Sequence, residues 1–225
     1  ILAMAFIDFD DPKKPKVLQY ILDRQREDGS WDVYYGSEQG DINTTLECYF
    51  ALRVSGFDPD EPAMAKARKW LIDNKWTERI RVFTKYWLAL FGEWAWEETP
   101  ALPPEIVYFP KWFPFNIYRF AAWARATIMP LCIVTSKKPV KKLAPELRID
   151  ELFPVDRAAA YAYKNTAGET PKLSLKKFFL TADKVFHFYN EKSKKSALRR
   201  RAIKDAMRWI IDHQDDDGFW GGIQP

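Results

Sequence analysis

The sequence predicts an all-α protein in which successive helix pairs close into a ring, an α/α toroid. Three observations predict it: apolar residues recur at helical spacing, strand-like alternation is nearly absent, and one turn-forming unit occurs near both ends of the chain.

Taken in order, Val17, Leu18, Ile21 and Leu22 form the first apolar stripe. Thr44 followed by Glu47 has the spacing of a capping box, which predicts a helix running to Leu52 and stopping near Gly56. Asp58-Pro59-Asp60-Glu61-Pro62 then restarts the chain after a short turn. Ile80, Phe83, Trp87, Leu90 and Phe91 mark another stripe. From Thr99 to Pro114, five prolines sit among Tyr108, Phe109, Trp112 and Phe113, and that density predicts an extended loop. Nearly every side of Ile117 to Val134 is apolar or small, interrupted mainly by Arg119 and Arg125. Such a helix is expected to be enclosed by others and kinked near Pro130. Between Ser136 and Pro171 the chain is polar and weakly periodic, as a variable connection would be.

A chain of 225 residues buries roughly 70% of its unfolded surface, so a core forms without staples. Apolar residues at 47% and aromatic ones at 16% exclude a disordered chain, and a net charge of +4 is too small to imply nucleic-acid binding. Cys48 and Cys132 stand in apolar helical surroundings without disulfide or ligand spacing, which predicts buried free thiols in a reducing compartment. The longest apolar run, Ala126 to Ser136, falls well short of the ~20 residues of a spanning helix. Ile1 to Ile7 lacks the basic flank and cleavage site of a signal peptide. The ends, Ile1 and Ile223-Gln224-Pro225, suggest a piece of something larger.

The repeat is the most informative feature. Lys16-Val17-x-x-Tyr20-Ile21-x-x-x-Gln25-x-x-x-Gly29-x-Trp31 recurs as Asp205-Ala206-x-x-Trp209-Ile210-x-x-x-Gln214-x-x-x-Gly218-x-Trp220, and Lys66-Ala67-x-x-Trp70-Leu71-x-x-x-Lys75 keeps the helix half alone. An aromatic and an aliphatic residue dock the helix, and glycine supplies a left-handed stop. The glutamine amide bonds free backbone groups at a neighbouring helix end, with the indole stacked on it. A unit that clips each helix end to the next suits a ring of helix pairs.

These Gln-x-x-x-Gly-x-Trp units resemble the glutamine-tryptophan repeats of triterpene cyclases. With Tyr49-Phe50-Ala51-Leu52, Trp87-Leu88-Ala89-Leu90, Pro103-Pro104-Glu105-Ile106, Trp123-Ala124-Arg125-Ala126-Thr127 and Trp220-Gly221-Gly222-Ile223-Gln224-Pro225, the chain is similar to the squalene–hopene cyclase family over nearly its whole length, least from Lys137 to Pro171. Val17 and Asp205 depart from it, where the family usually has Gly or Ala and a basic residue.

The resemblance implies that residues 1–215 are the smaller inserted α/α domain of a cyclase and that residues 216–225 begin the return into the larger catalytic domain, which is mostly absent. It implies an isomerase that folds squalene, or a related polyprenoid, in an aromatic-lined cavity and cyclises it to hopene or hopanol without a cofactor or metal, ring faces shielding the cations. Phe120, Trp123, Ile128 and Ile223 would line the channel and cavity. Arg81, Trp87, Trp220 and Gln224 would build a polar region beside it.

A substrate stored in the bilayer implies a monotopic enzyme on the cytoplasmic side of the cell membrane, and the resemblance implies a homodimer at full length. Phe178, Phe179, Val185 and Phe186, among Lys172, Lys176, Lys177 and Lys184, have the pattern of an interfacial helix. Lys192 to Lys204 adds seven basic residues and no acidic one, suited to anionic headgroups. A core helix followed by a solvated basic face fits these residues equally well.

Protonating an alkene needs a carboxylic acid kept protonated until it reacts, which the family holds in an Asp-x-Asp-Asp motif of its larger domain. Asp8-Phe9-Asp10-Asp11 matches the letters, yet it precedes a proline at an exposed junction and reads as a solvated loop. By the resemblance the acid lies outside this chain, so the chain alone is expected to be inactive. Asp215-Asp216-Asp217 lacks metal spacing, as do His187 and His213. The competing expectation is a non-catalytic α-toroid that binds a lipid or a partner, or a cyclase of another polyprenoid.

Overall fold

The computed structural model describes residues 1–113, 116–153, 157, 175–193 and 195–220. All of them are helical or irregular; among the described residues there is no strand, as the all-α expectation requires. The chain divides into two compact units, Ile1–Thr99 with Val140–Gly168, and Pro100–Pro139 with Glu169–Pro225.

In the first unit, α1 (Leu2–Phe6), α2 (Lys14–Asp23), α3 (Ile42–Val54), α4 (Pro62–Asp73), α5 (Trp76–Arg79) and α6 (Val82–Leu90) follow one another. The start of α3 differs from the expected Thr44–Glu47 box. Asp41 is the cap, its carboxylate accepting from the backbone N–H groups of Asn43 and Thr44 and from the Thr44 hydroxyl. Glu47 turns inward instead and accepts from Thr84. The restart at Pro62 is as expected, with proline at the first helical position, where the missing N–H costs nothing.

α3 is the innermost element of this unit. Ile42, Leu46, Tyr49, Phe50 and Leu52 are buried, and so are Asn43, Thr45 and Arg53, which leaves little polar face. Phe91 lies edge-on to Phe50 and to Phe6, at centroid distances of 5.3 and 5.7 Å. Of the stripe expected around α6, Ile80 and Phe91 are buried, Trp87 and Leu90 half-buried and Phe83 exposed, while Thr84, Tyr86, Leu88 and Ala89 are the buried residues of the helix itself. The stripe on α2 has no buried residue.

Arg53 fastens the returning segment. Its guanidinium donates to the carbonyls of Phe57, Glu146 and Arg148 and to the carboxylate of Glu151, which also accepts from Tyr49. Trp76 donates its indole N–H to the carbonyl of Leu152. The buried polar groups of Arg53, Tyr49 and Trp76 are thereby paired, as a packed interior demands.

In the second unit, 3-10 turns at Pro104–Tyr108 and Ile117–Arg119 precede α7 (Ala122–Lys137), α8 (Leu175–Ser193) and α9 (Ala197–Asp212). The helix expected from Ile117 starts five residues later. The side chain of Asn116 accepts from the Tyr118 N–H and closes a separate short turn. Pro130 lies inside α7. Nor is α7 enclosed within its unit, because it buries Met129, Cys132 and Thr135 and leaves Trp123 54% exposed.

α9 packs on α7 and on the Pro104–Tyr108 turn, with Ala202 and Ala206 permitting close approach. Arg199 and Glu105 form a buried two-point ion pair at 2.9 and 3.0 Å, and Arg199 lies over the ring of Tyr189.

Candidate functional site

The first glutamine–tryptophan turn joins three helices. At the end of α2, the amide nitrogen of Gln25 donates to the carbonyl of Gly29 at 3.0 Å and to that of Ala63, in the first turn of α4, at 2.8 Å. The indole N–H of Trp31 returns to the carbonyl of Ile21, while its backbone N–H donates to Thr45 on α3. Gly29 has φ 91° and lies so close to α4 that an added Cβ would stand 2.6 Å from the carbonyl carbon of Lys66. Lys66 opens the decayed repeat, so one copy of the unit grips the next.

The second turn repeats these bonds 189 positions on. Gln214 donates to the carbonyl of Gly218, Trp220 to that of Ile210, and the N–H of Asp215 to Phe219, as Arg26 does to Ser30. Gly218 has φ 87°. The surroundings differ: Trp31 is 3% exposed and Trp220 42%.

Arg81 heads α6 in a polar cluster that spacing alone did not announce. Its backbone N–H donates to the Asn43 side chain at 2.6 Å and its guanidinium to Asp41 at 3.1 Å; Thr84 lies 2.6 Å from Glu47 and 3.2 Å from Asn43. Burial raises the Asp41 carboxyl, but hydrogen bonds from Thr44 and Asn43 and the charge of Arg81 outweigh it, so that Asp41 titrates below the usual value. Glu47 is shifted the other way. Burial is the largest influence and pushes it up, against the Thr84 bond and Arg81. Asn43 and Glu47, four apart on one helix face, were the available signal. Trp87 is half-buried on α6 in the same unit.

Phe120 and Ile128 both pack on the cluster of Ile117, Met129 and Ala206, although Phe120 precedes α7 rather than lying on it. On α8, Val185 is exposed and Phe186 half-buried; Phe178 and Phe179 fall within the helix, with side chains outside the described residues. Ile223 and Gln224 are outside the described residues as well. Asp8, Phe9 and Asp10 are exposed, Asp8 pairs with Lys141, and Asp11 accepts from the N–H of Lys13. Among the described residues no group of three His, Cys, Asp or Glu side chains could hold a metal ion, and no helix is long and apolar enough to cross a membrane.

Helices tied end to start by glutamine–tryptophan turns define an α/α repeat protein. The chain belongs to the squalene-hopene cyclase N-terminal domain family, which it matches over residues 1–225, and its fold class is the α/α toroid of that family. It is 39% identical to the squalene–hopene cyclase of Alicyclobacillus acidocaldarius, over 96% of this chain and 33% of that protein. Identity is 35% to the dammaradiene synthase of Dryopteris crassirhizoma, over 96% of this chain and 31% of that protein. The squalene–hopene cyclase of Zymomonas mobilis is 33% identical over 93% of this chain and 31% of its own length. The chain thus spans about a third of the length of these relatives.

Proposed function

We propose that this chain is the segment of a triterpene cyclase that contributes channel, cavity wall and membrane contact to the proton-initiated cyclisation of squalene to hopene or hopanol. The observation that carries the reading is the family match along the whole chain, with squalene–hopene cyclases among its relatives.

In this reading residues 1–215 form the smaller domain, and residues 216–225 lead back into the larger one. Phe120, Trp123, Ile128 and Ile223 line the route of a hydrocarbon chain. Their part is to exclude water and offer ring faces to cationic intermediates. Arg81, Trp87, Trp220 and Gln224 hold water beside the cavity. Phe178, Phe179, Val185 and Phe186 face the cytoplasmic side of the cell membrane, and the complete enzyme is a homodimer. The proton comes from an Asp-x-Asp-Asp in the remainder of the protein. Exposed and paired with Lys141, Asp8 has none of the seclusion that such an acid needs.

The test is to incubate the complete parent protein and the 225-residue chain separately with squalene and to analyse the extracts by gas chromatography with mass spectrometry. Hopene or hopanol from the parent alone is the expected result; hopene from the short chain overturns the division of labour. The relationship to a dammaradiene synthase favours a second reading, a cyclase with another polycyclic product, and the same extracts distinguish it. Phe178→Glu with Phe186→Glu in the parent is expected to lower co-sedimentation with vesicles, and unchanged partitioning assigns α8 to the core.

A further inference from the structure

We propose that Glu105 and Arg199 are positioning residues for the hydrocarbon route. Their buried two-point ion pair fixes how α9 seats on the Pro104–Tyr108 turn and, through that seat, the packing behind Phe120 and Ile128, a role that rests on the proposed placing of those two side chains along the route.

The connection from the pair to the route is short and stiff. Arg199, Ala202 and Ala206 are the buried residues of α9 and share one face. Arg199 and Ala206 are two turns apart, about 10 Å along the helix. Ala206 is fully buried in a cluster with Ile117 and Met129, and Phe120, Ile128 and Val107 pack against that cluster. Glu105 and Val107 belong to one turn, which opens on Pro103-Pro104, where the fixed φ angles leave the backbone little freedom. A shift at the ion pair therefore reaches the cluster from two sides, through Ala206 and through Val107.

Other bonds hold the same turn. Just before it, the carbonyl of Leu102 accepts from Thr135 on α7 at 3.1 Å, and at its end Tyr108 donates to Asp205 on α9 at 2.6 Å. The Tyr108 bond is exposed, whereas Arg199 and Glu105 are 2% and 7% exposed.

Stability alone does not account for so dry a pair. Taking both charges out of water costs about as much as their attraction returns, and apolar side chains of similar volume often serve a fold as well or better. What apolar contacts lack is direction. The planar guanidinium meets the carboxylate through Nε at 2.9 Å and through Nη2 at 3.0 Å, a fork that admits one relative placement of turn and helix. Its Nη1 reaches the carbonyl of Asn190 on α8, and the guanidinium lies over the ring of Tyr189, so a third element is set against the same group.

The test uses the complete parent protein and combines Glu105→Leu with Arg199→Met. Two quantities are read: steady-state kinetics on squalene, and hydrogen exchange of the amides of residues 117–129 by mass spectrometry. The combined variant is expected to keep a melting temperature near that of the wild type, because neither charge is left unpaired. Its KM is expected to rise several-fold while kcat changes by less than about twofold, the signature of lost binding rather than lost chemistry. Amides 117–129 are expected to exchange several-fold faster. A pair that only stabilises the fold leaves both KM and exchange unchanged in the folded double variant, and either of these results overturns the proposal. If the double variant does not fold, Arg199→Lys keeps the charge, lacks the fork and is read in the same way. Arg201→Met, exposed on the same helix, is expected to move neither quantity. Absence of turnover in the wild-type parent overturns the proposed function instead, and the exchange comparison then still decides whether the pair holds the segment that carries Phe120 and Ile128.

Discussion

The amide nitrogen of Gln25 lies 2.8 Å from the carbonyl oxygen of Ala63, 38 residues further on, so one side chain fastens the turn after α2 to the start of α4. That approach is possible only because Gly29 has no side chain. Gly29→Ala faces left-handed backbone strain and a collision with the Lys66 backbone, whereas at Gly218 the described residues add no collision to the strain. The strain is roughly 1–2 kcal/mol, and a backbone collision brings the Gly29→Ala loss to about 3 kcal/mol or more. Urea unfolding of the two variants is expected to show the larger fall in midpoint for Gly29→Ala.

Arg53 is 5% exposed and serves three carbonyls and one carboxylate, so Arg53→Met leaves several buried acceptors unpaired at once. Breaking a buried pair from one side costs about 3–5 kcal/mol. The exposed Lys69–Asp73 pair is the contrast. Lys69→Met is expected to change stability by less than about 0.5 kcal/mol. A thermal or urea melt of the two variants separates these outcomes, and a similar loss for both is the result that contradicts the assignment of Arg53 as a tie.

What could be read in the chain was local. Gln25, Gly29 and Trp31 announce their turn because all three lie within seven residues, and Glu61-Pro62 announces α4 because proline restricts its own neighbourhood. What escaped was long-range. Thr84 looks like a polar interruption of α6 until Asn43 and Glu47 arrive beside it from 41 and 37 residues away. Arg53 hides the interior character of α3 in the same way, since its partner Glu151 is 98 residues distant. The cap of α3 was missed for another reason: Asp41 and Thr44 are both competent caps three residues apart, and only the carboxylate's bonds to Asn43 and Thr44 decide between them.

Burial pushes the thiols of Cys48 and Cys132 up to about 12, with Glu47 and Glu105 respectively adding to it. At pH 8 a thiol of that kind is ionised to about one part in ten thousand, against roughly a quarter for a free cysteine. Iodoacetamide is therefore expected to leave both unlabelled in the native chain and to label both in denaturant. Ionisation favours the unfolded state here, so this contribution to stability falls as pH rises past the ordinary thiol value toward about 12. Fast native labelling of Cys132 would contradict its packing.

Glu47 supplies the opposite end of the pH scale. The Thr84 hydroxyl has one proton and two acceptors within reach, Glu47 and Asn43, while the Asn43 oxygen already accepts from the Arg81 N–H. When Glu47 takes up a proton its bond with Thr84 reverses: Glu47 donates to Thr84, which then donates to Asn43, and the chain of bonds closes. Its folded pKa is raised, chiefly by burial, so the folded protein holds this proton to higher pH than the unfolded chain does. The associated stability is present at and below the ordinary carboxylate value and is lost as pH rises through the raised one. Glu47→Gln carries a permanent donor and has no proton to lose. Its melting temperature is expected to gain on the wild type as pH rises from 4 to 7, and a constant difference across that range would show that Glu47 titrates as an ordinary carboxylate.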